Sequence, residues 1–303
     1  MRTGSRLNEC FNQSEIIEFD DDSKYIMFSD VHRGDNSMSD EFAHNSNIYY
    51  HALRKYLKDG YTYIELGDGD ELWEHSKFTT ILGAHSDVYL LLREFYNQGK
   101  LKLLFGNHNI YLASKLWVRK NLFKFQDDFL DKKSDLFPGI KPVESIRLQY
   151  KETGQEFLLV HGHQGDLFND KIWFPSMLSL RFFWRYLHVM GFQNPSSPAK
   201  NRIKRHRIEV NFSKWIRKKK VAIICGHTHR PRFSKKQEIP YFNTGCCIHP
   251  RGINGIEIAN GKIMLIDWRV RPERDGNLKI TRKIIRGPID IADYTGMEAN
   301  NEQ

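Results

Sequence analysis

The amino-acid sequence predicts an α/β protein whose C-terminal part is largely antiparallel. Two observations predict it. Short apolar runs alternate with helix-length segments early in the chain, and beyond Pro231 the pattern turns to strands alone. A length of 303 residues is enough for a full hydrophobic core.

In chain order, residues 25–28, 61–66, 101–105, 156–160 and 221–225 are apolar runs ending in polar, mostly glycine-containing loops, and they read as strands. Residues 45–58 and 78–97 lie between the first three and read as helices, giving a β-α-β-α-β order. In the second of these, Ile81, Ala84, Val88, Leu91, Leu92 and Phe95 recur at helical spacing and mark the core-facing stripe. Later strands are expected at 241–244, 255–259 and 262–268. Asn260-Gly261 between the last two is the dipeptide that a two-residue type I′ hairpin prefers.

Residues 167–220 break this alternation. The first half, with Trp173, Phe174, Met177, Leu178, Phe182, Phe183 and Trp184, is apolar nearly all round. The second half carries Lys200, Arg202, Lys204, Arg205, Arg207, Lys214 and Arg217 to Lys220 against one acid, Glu209. The segment is expected to be a helical insertion between two core strands. Residues 1–289 then form one domain that includes it, and 290–303 a polar, flexible tail.

The net charge of +9 suits an anionic partner such as phosphate, nucleic acid or a membrane surface, and equally a mildly basic enzyme with no such partner. Cys10, Cys225, Cys246 and Cys247 have no CxxC spacing, which describes a reduced, cytoplasmic protein rather than a disulfide scaffold. Residues 1–22 lack the apolar stretch of a signal peptide. The most apolar window, 172–192, is interrupted by Arg181, Arg185 and His188, which argues against a membrane span.

The residues able to hold metal gather in five loops, each just after a predicted strand. They are Asp30-Val31-His32, Gly67-Asp68, Gly106-Asn107-His108, His161-Gly162-His163 and Gly226-His227-Thr228-His229. An i, i+2 pair at a strand end points both side chains to one side, so Asp30 and His32 can share an ion. In an α/β sheet such loops meet at the carboxyl ends of the strands. The donors are imidazole, carboxylate and amide without thiolate, a set that suits Mn, Fe, Zn, Co or Ni better than a structural zinc site. Setting His108 and His163 aside, they are too many for one ion and about right for two.

The series D-x-H, GD, GNH, HGH and GHTH, in this order, resembles the calcineurin-like metallophosphoesterase superfamily. The resemblance implies a two-layer β-sandwich flanked by helices. It implies one divalent ion on Asp30, His32 and His229, a second on Asn107, His161 and His227, and Asp68 bridging both, with manganese favoured. His108 matches the histidine that contacts the phosphate and serves the leaving group. The activity implied is hydrolysis of a phosphate ester or pyrophosphate by hydroxide held between the metals. In layout the chain is most similar to the UDP-2,3-diacylglucosamine pyrophosphohydrolases, through its aromatic insertion between the fourth and fifth motifs and through Asn243-Thr244-Gly245 before a hairpin. It departs from them at His108, an arginine there, and at His163, an aspartate there. It departs from the wider pattern at Asn109, where an acidic residue is usual. An amide orients a histidine but stabilises its cation less. Glu71 matches a carboxylate that some branches place three residues after the bridging aspartate.

The remaining residues leave alternatives open. Arg33 can meet a substrate phosphate or form a salt bridge, and His163 can face the substrate or support the ligands. The insertion is a lid over the site or, through 171–220, an acyl-chain and peripheral membrane contact. The basic run 200–220 can bind nucleic acid, making the protein a nuclease, or be a solvated helix face. The expected substrate is a small or lipid-linked phosphorylated molecule; the non-enzymatic alternative is a weakly active metal-binding interaction module.

Overall fold

A computed structural model describes residues 3–127, 131–166, 177–178 and 201–294. Two sheets face each other. The six-stranded sheet contains β2 (Tyr25–Phe28), β3 (Thr62–Leu66), β4 (Leu101–Leu104), β11 (Ile253–Ala259), β12 (Lys262–Pro272) and β13 (Leu278–Asp290), in the order β13-β12-β11-β2-β3-β4. Its β2, β3 and β4 are parallel, and β11, β12 and β13 join as antiparallel partners. The five-stranded sheet contains β1 (Glu15–Phe19), β7 (Ser145–Tyr150), β8 (Glu156–Val160), β9 (Ala222–Cys225) and β10 (Tyr241–Asn243), in the order β1-β7-β8-β9-β10. A small hairpin, β5 (Lys124–Asp127) with β6 (Lys132–Asp135), stands apart from both.

The apolar runs are continuous because these strands are buried on both faces. Met27, Ile64, Leu66 and Leu104 point inward against Ile146, Leu148, Phe157, Leu159, Ile224 and Phe242 of the other sheet. Ile26, Phe28 and Tyr63 point outward, under α2 (Ser46–Lys58), α3 (Phe78–Ala84), α4 (Ser86–Asn97) and α5 (Lys115–Leu122). Leu158, Val160, Ile223 and Cys225 on the far side lie under α1 (Thr3–Gln13) and α6 (Arg202–Lys219). The result is the expected two-layer sandwich with helices on both outer faces.

Several elements differ from expectation. The helix expected over 78–97 is broken at His85, whose backbone leaves the helical region while its Nε2 meets Asp40 Oδ2 at 2.8 Å. The insertion's basic half is α6, which lays Ile208, Phe212, Trp215 and Ile216 on the five-stranded sheet, so this part flanks the sandwich. Of the aromatic half only Met177 and Leu178 are described; Met177 is buried and its sulfur accepts a hydrogen bond from the Tyr111 hydroxyl at 3.2 Å. The expected lid otherwise lies outside the described residues. The expected tail begins later than 290, because Ile291 and Tyr294 are buried in the inter-sheet core and the Tyr294 hydroxyl donates to Ser234 O at 2.6 Å. Residues 295–303 lie outside the described residues. Asn260 and Gly261 both have positive φ, 52° and 65°, as a type I′ turn requires. All four cysteines are buried and unbonded to one another. No helix among the described residues is long and apolar enough to cross a membrane.

Candidate metal centre

The five loops meet at one end of the sandwich, where the carboxyl ends of β2, β3 and β4 adjoin those of β8 and β9. The backbone there is unusual. Asp30, His32, Asp68, His227 and His229 all have φ between 50° and 66°, a left-handed region that non-glycine residues rarely occupy. Each costs about 1–3 kcal/mol, and such residues cluster where surrounding structure holds side chains for function. Asp30 and His32 therefore share a side through successive left-handed turns beyond the strand, and not through the strand pleat that the spacing suggested. The loops hold one another: Asp30 N–H donates to Gly67 O, His32 N–H to Asp68 O and Gly226 N–H to His161 O, at 3.1, 2.9 and 2.7 Å. Gly106 has to be glycine, because a Cβ there would stand 2.2 Å from Asp68 Oδ1 and 2.6 Å from His161 Cδ2.

Three donor groups converge among the described residues: one is His32, Glu71 and His108, and the other two are drawn from the five loops alone. Asp30, His32 and His229 converge, with His229 Nε2 at 3.1 Å from Asp30 Oδ1 and 3.4 Å from His32 Nε2. Asp68, His161 and His227 form the second set, with His161 Nε2 at 2.9 Å from Asp68 Oδ2. The sets adjoin, because His32 Nε2 lies 4.0 Å from Asp68 Oδ2 and His161 Nε2 lies 4.0 Å from Asp30 Oδ1. The Asp30 carboxylate is fixed by the His227 N–H at 2.9 Å and by the Ser29 hydroxyl. His161 is oriented by a hydrogen bond between Nδ1 and Leu66 O at 3.0 Å, which turns Nε2 into the site.

The donors fit divalent cations. Both amide atoms of Asn107, His161 Nε2 and His227 Nε2 are buried and have no hydrogen-bond partner among the described residues; the His161 contact with Asp68 is close but lacks hydrogen-bond geometry. Buried polar atoms are rarely left so, and a cation would satisfy the lone pairs of Asn107 Oδ1, His161 Nε2 and His227 Nε2, though not the Asn107 amide N–H groups. Against their burial, neighbouring imidazoles hold Asp30 and Asp68 below the usual carboxylate range, so both are anionic.

His108 is placed differently. Its backbone N–H donates to Asp68 Oδ1 at 2.8 Å, while its ring keeps 19% of its side-chain surface exposed and bonds Glu71 through Nδ1 at 2.8 Å. Glu71 also meets His32 Nδ1 at 2.7 Å. Burial alone would lower His32, but the Glu71 hydrogen bond and the Asp68 and Asp30 carboxylates outweigh it and raise it to about 10. The carboxylate that position 109 lacks is thus supplied from position 71. Asn109 accepts from Gly106 N–H at 2.6 Å and Asp68 N–H at 3.3 Å, tying the second and third loops together. Glu71→Gln is expected to cost about 10–100-fold in both metal affinity and kcat/KM, since one carboxylate orients two histidines. Metal titration with steady-state kinetics checks this; unchanged values for both would remove Glu71 from the site.

Arg33, left open between a substrate phosphate and a salt bridge, is 1% exposed. Its guanidinium makes two bonds with Glu65, at 2.7 and 2.8 Å, and donates Nε–H to Asp70 at 2.8 Å, with Tyr89 over one face at 5.2 Å. It is a buried structural cation. Arg33→Met should therefore destabilise the fold by about 3–5 kcal/mol, because two buried carboxylates lose their counter-charge. Chemical denaturation would show the loss, and a folded variant of normal stability with only a raised KM would restore the substrate role. His163 is also buried, 1% exposed, with its ring 5.6 Å from that of His161 and Nε2 3.9 Å from Glu144 Oε1. Burial and the neighbouring His161 and His227 push it well below the ordinary histidine range. It packs beside the ligands, inside the protein. Asp166, which sequence reasoning passed over, is buried 4.0 Å from His227 Nε2.

Among solved structures the chain is similar to a cold-active protein-tyrosine phosphatase of a psychrophilic Shewanella species, at 13% identity over 90% of this chain and 83% of that one, with a TM-score of 0.39. It is similar to Vps29 of Chaetomium thermophilum at 9% identity over 88% of this chain and 96% of that one, with a TM-score of 0.37. A comparison with curated proteins gives no match in sequence. The family model of the calcineurin-like phosphoesterases matches residues 23–231, which carry every loop described above. With two thirds of its length inside that match, this chain belongs to the calcineurin-like phosphoesterases and is a metal-binding phosphoester hydrolase.

Proposed function

We propose that the chain holds two divalent ions and hydrolyses a small or lipid-linked phosphate ester or pyrophosphate. The observation that carries this reading is the position of Asp68, whose carboxylate stands between the two donor sets, 2.9 Å from His161 and 4.0 Å from His32. Asp30, His32 and His229 would hold one ion and Asn107, His161 and His227 the other, with Asp68 shared. Nitrogen and oxygen donors without thiolate favour manganese or a neighbouring transition ion. Such a pair, when bound, supplies Lewis-acid charge for phosphoryl oxygens and acidifies water.

The chain's own residues do the rest. Glu71 accepts Nδ1–H hydrogen bonds from His32 and His108, which leaves Nε2 of His32 for the ion. It leaves Nε2 of His108 to deliver a proton to the departing oxygen. The burial of Asp30, Asp68, Asn107 and His161, none more than 1% exposed, excludes water from behind the reacting groups.

The test is elemental analysis of the purified protein with a phosphate-release screen after metal reconstitution, using p-nitrophenyl phosphate, its bis ester, nucleotides and sugar pyrophosphates. Two metal equivalents and turnover that a chelator abolishes are expected. Metal-loaded protein inert toward all of these would favour an interaction module. Salt-sensitive cleavage of DNA or RNA, lost when Arg217 and Lys218 on the exposed face of α6 are neutralised, would move the reading to a nuclease.

A further inference from the structure

We propose that Trp73 is a positioning residue that fixes the plane of the His108 ring for proton transfer to the leaving oxygen. The proposal rests on the phosphohydrolase reading above. The indole of Trp73 lies face to face with the imidazole of His108, centroids 4.3 Å apart and planes 22° apart. Trp73 is 3% exposed, so its own surroundings hold this platform in place.

The geometry shows why the ring needs it. The Glu71 hydrogen bond at 2.8 Å anchors Nδ1 alone. Rotation about the histidine Cβ–Cγ bond is soft, so one anchored atom leaves the ring free to tilt. The parallel indole face removes that tilt, and offset stacking is an arrangement that aromatic pairs favour. On another side His32 meets the ring edge-on, at 4.7 Å and 85°. With Nδ1 bonded to Glu71 and one face on Trp73, Nε2 is the ring nitrogen left to meet an ester.

In the step concerned, the oxygen of a water forms the new P–O bond and its proton passes to solvent. The ester P–O bond breaks, its electron pair goes to the leaving oxygen, and that oxygen takes the proton from His108 Nε2. A leaving oxygen that is a poor anion depends on this proton; one that is a stable anion does not. Loss of the platform therefore falls selectively on poor leaving groups.

The experiment compares metal-reconstituted wild type, Trp73→Leu and Trp73→Phe on phenyl and p-nitrophenyl esters of phosphate, as mono- or diesters according to which series the wild type cleaves. For Trp73→Leu, kcat on the phenyl ester is expected to fall about tenfold with KM nearly unchanged, and on the p-nitrophenyl ester about twofold, a fraction of what a general acid contributes. Trp73→Phe, which keeps a flat face, should restore most of it. Equal losses on both esters, or no restoration by phenylalanine, would overturn the proposal. A second measurement needs neither turnover nor a folded leucine variant. A stacked imidazole quenches indole emission, so His108→Ala should raise tryptophan fluorescence in the wild-type background and leave it unchanged beside Trp73→Phe. The same rise in both backgrounds, or none, would refute the stack. A wild type inert on every ester while the fluorescence result holds would count against the functional reading and leave the contact standing.

Discussion

Replacing Asp68 by alanine is expected to strip the protein of metal and lower kcat/KM on its best phosphoester by about 10³-fold, the upper end of what loss of one neutral hydrogen-bond donor to a transition state costs. The size follows from how many groups converge on this carboxylate. Oδ1 accepts the His108 backbone N–H at 2.8 Å, Oδ2 lies 2.9 Å from His161, and His32 stands 4.0 Å away. Asp30 is the other carboxylate near both donor sets, 3.1 Å from His229 Nε2 and 4.0 Å from His161 Nε2, but it does not accept the His108 N–H. Alanine also has to occupy φ 51°, which Asp68 tolerates because aspartate is enriched in that region. Asp68→Asn separates the two effects, since it keeps shape and backbone preference and removes only the charge. Elemental analysis should find both ions depleted in either variant. Loss of one ion alone would make Asp68 a ligand of that ion and not a bridge. Full metal content with full turnover in Asp68→Ala would contradict the site.

The convergence of Asp30, His32, Asp68, His161, His227 and His229 was legible in the sequence because metal chemistry restricts residue type. Few loops carry D-x-H or G-H-T-H, and a strand ending in each leaves little freedom about where they meet. The local geometry was less legible. A pleated strand end and a pair of left-handed residues both put i and i+2 on one side, so Asp30 and His32 gave the right direction for the wrong reason. The choice between the two readings of Arg33 was not legible, because its partners Glu65 and Asp70 are 32 and 37 residues away. The available signal was Glu65 itself, an acid inside the apolar run 61–66 that needs a buried counter-charge. The helix break at His85 had one local signal, Gly83 just before it, while the contact His85 makes there, with Asp40, is 45 residues upstream. The strands β1 and β13 escaped because they are edge strands with mostly exposed side chains, so neither shows the continuous apolar run that identified the buried ones.

His108→Ala is expected to do the opposite of Asp68→Ala: it should keep both ions while kcat falls by about 10²–10³-fold, within the range of general acid catalysis. The metals are spared for a structural reason. The group that His108 gives to the Asp68 carboxylate is its backbone N–H, which alanine retains. Asn109 still ties Gly106 to Asp68, and Glu71 still holds His32 Nδ1, so neither donor set loses an orienting bond. What disappears is a ring boxed between Trp73, Glu71 and His32 with one nitrogen left over. The defect should therefore be largest on esters with poor leaving groups and small on p-nitrophenyl esters. If His108→Ala loses metal as Asp68→Ala does, the ring is a ligand, consistent with the convergence of His32, Glu71 and His108. If turnover is unaffected on every ester, the proton reaches the leaving oxygen from another group, and Asp166 beside His227 becomes the residue to replace next.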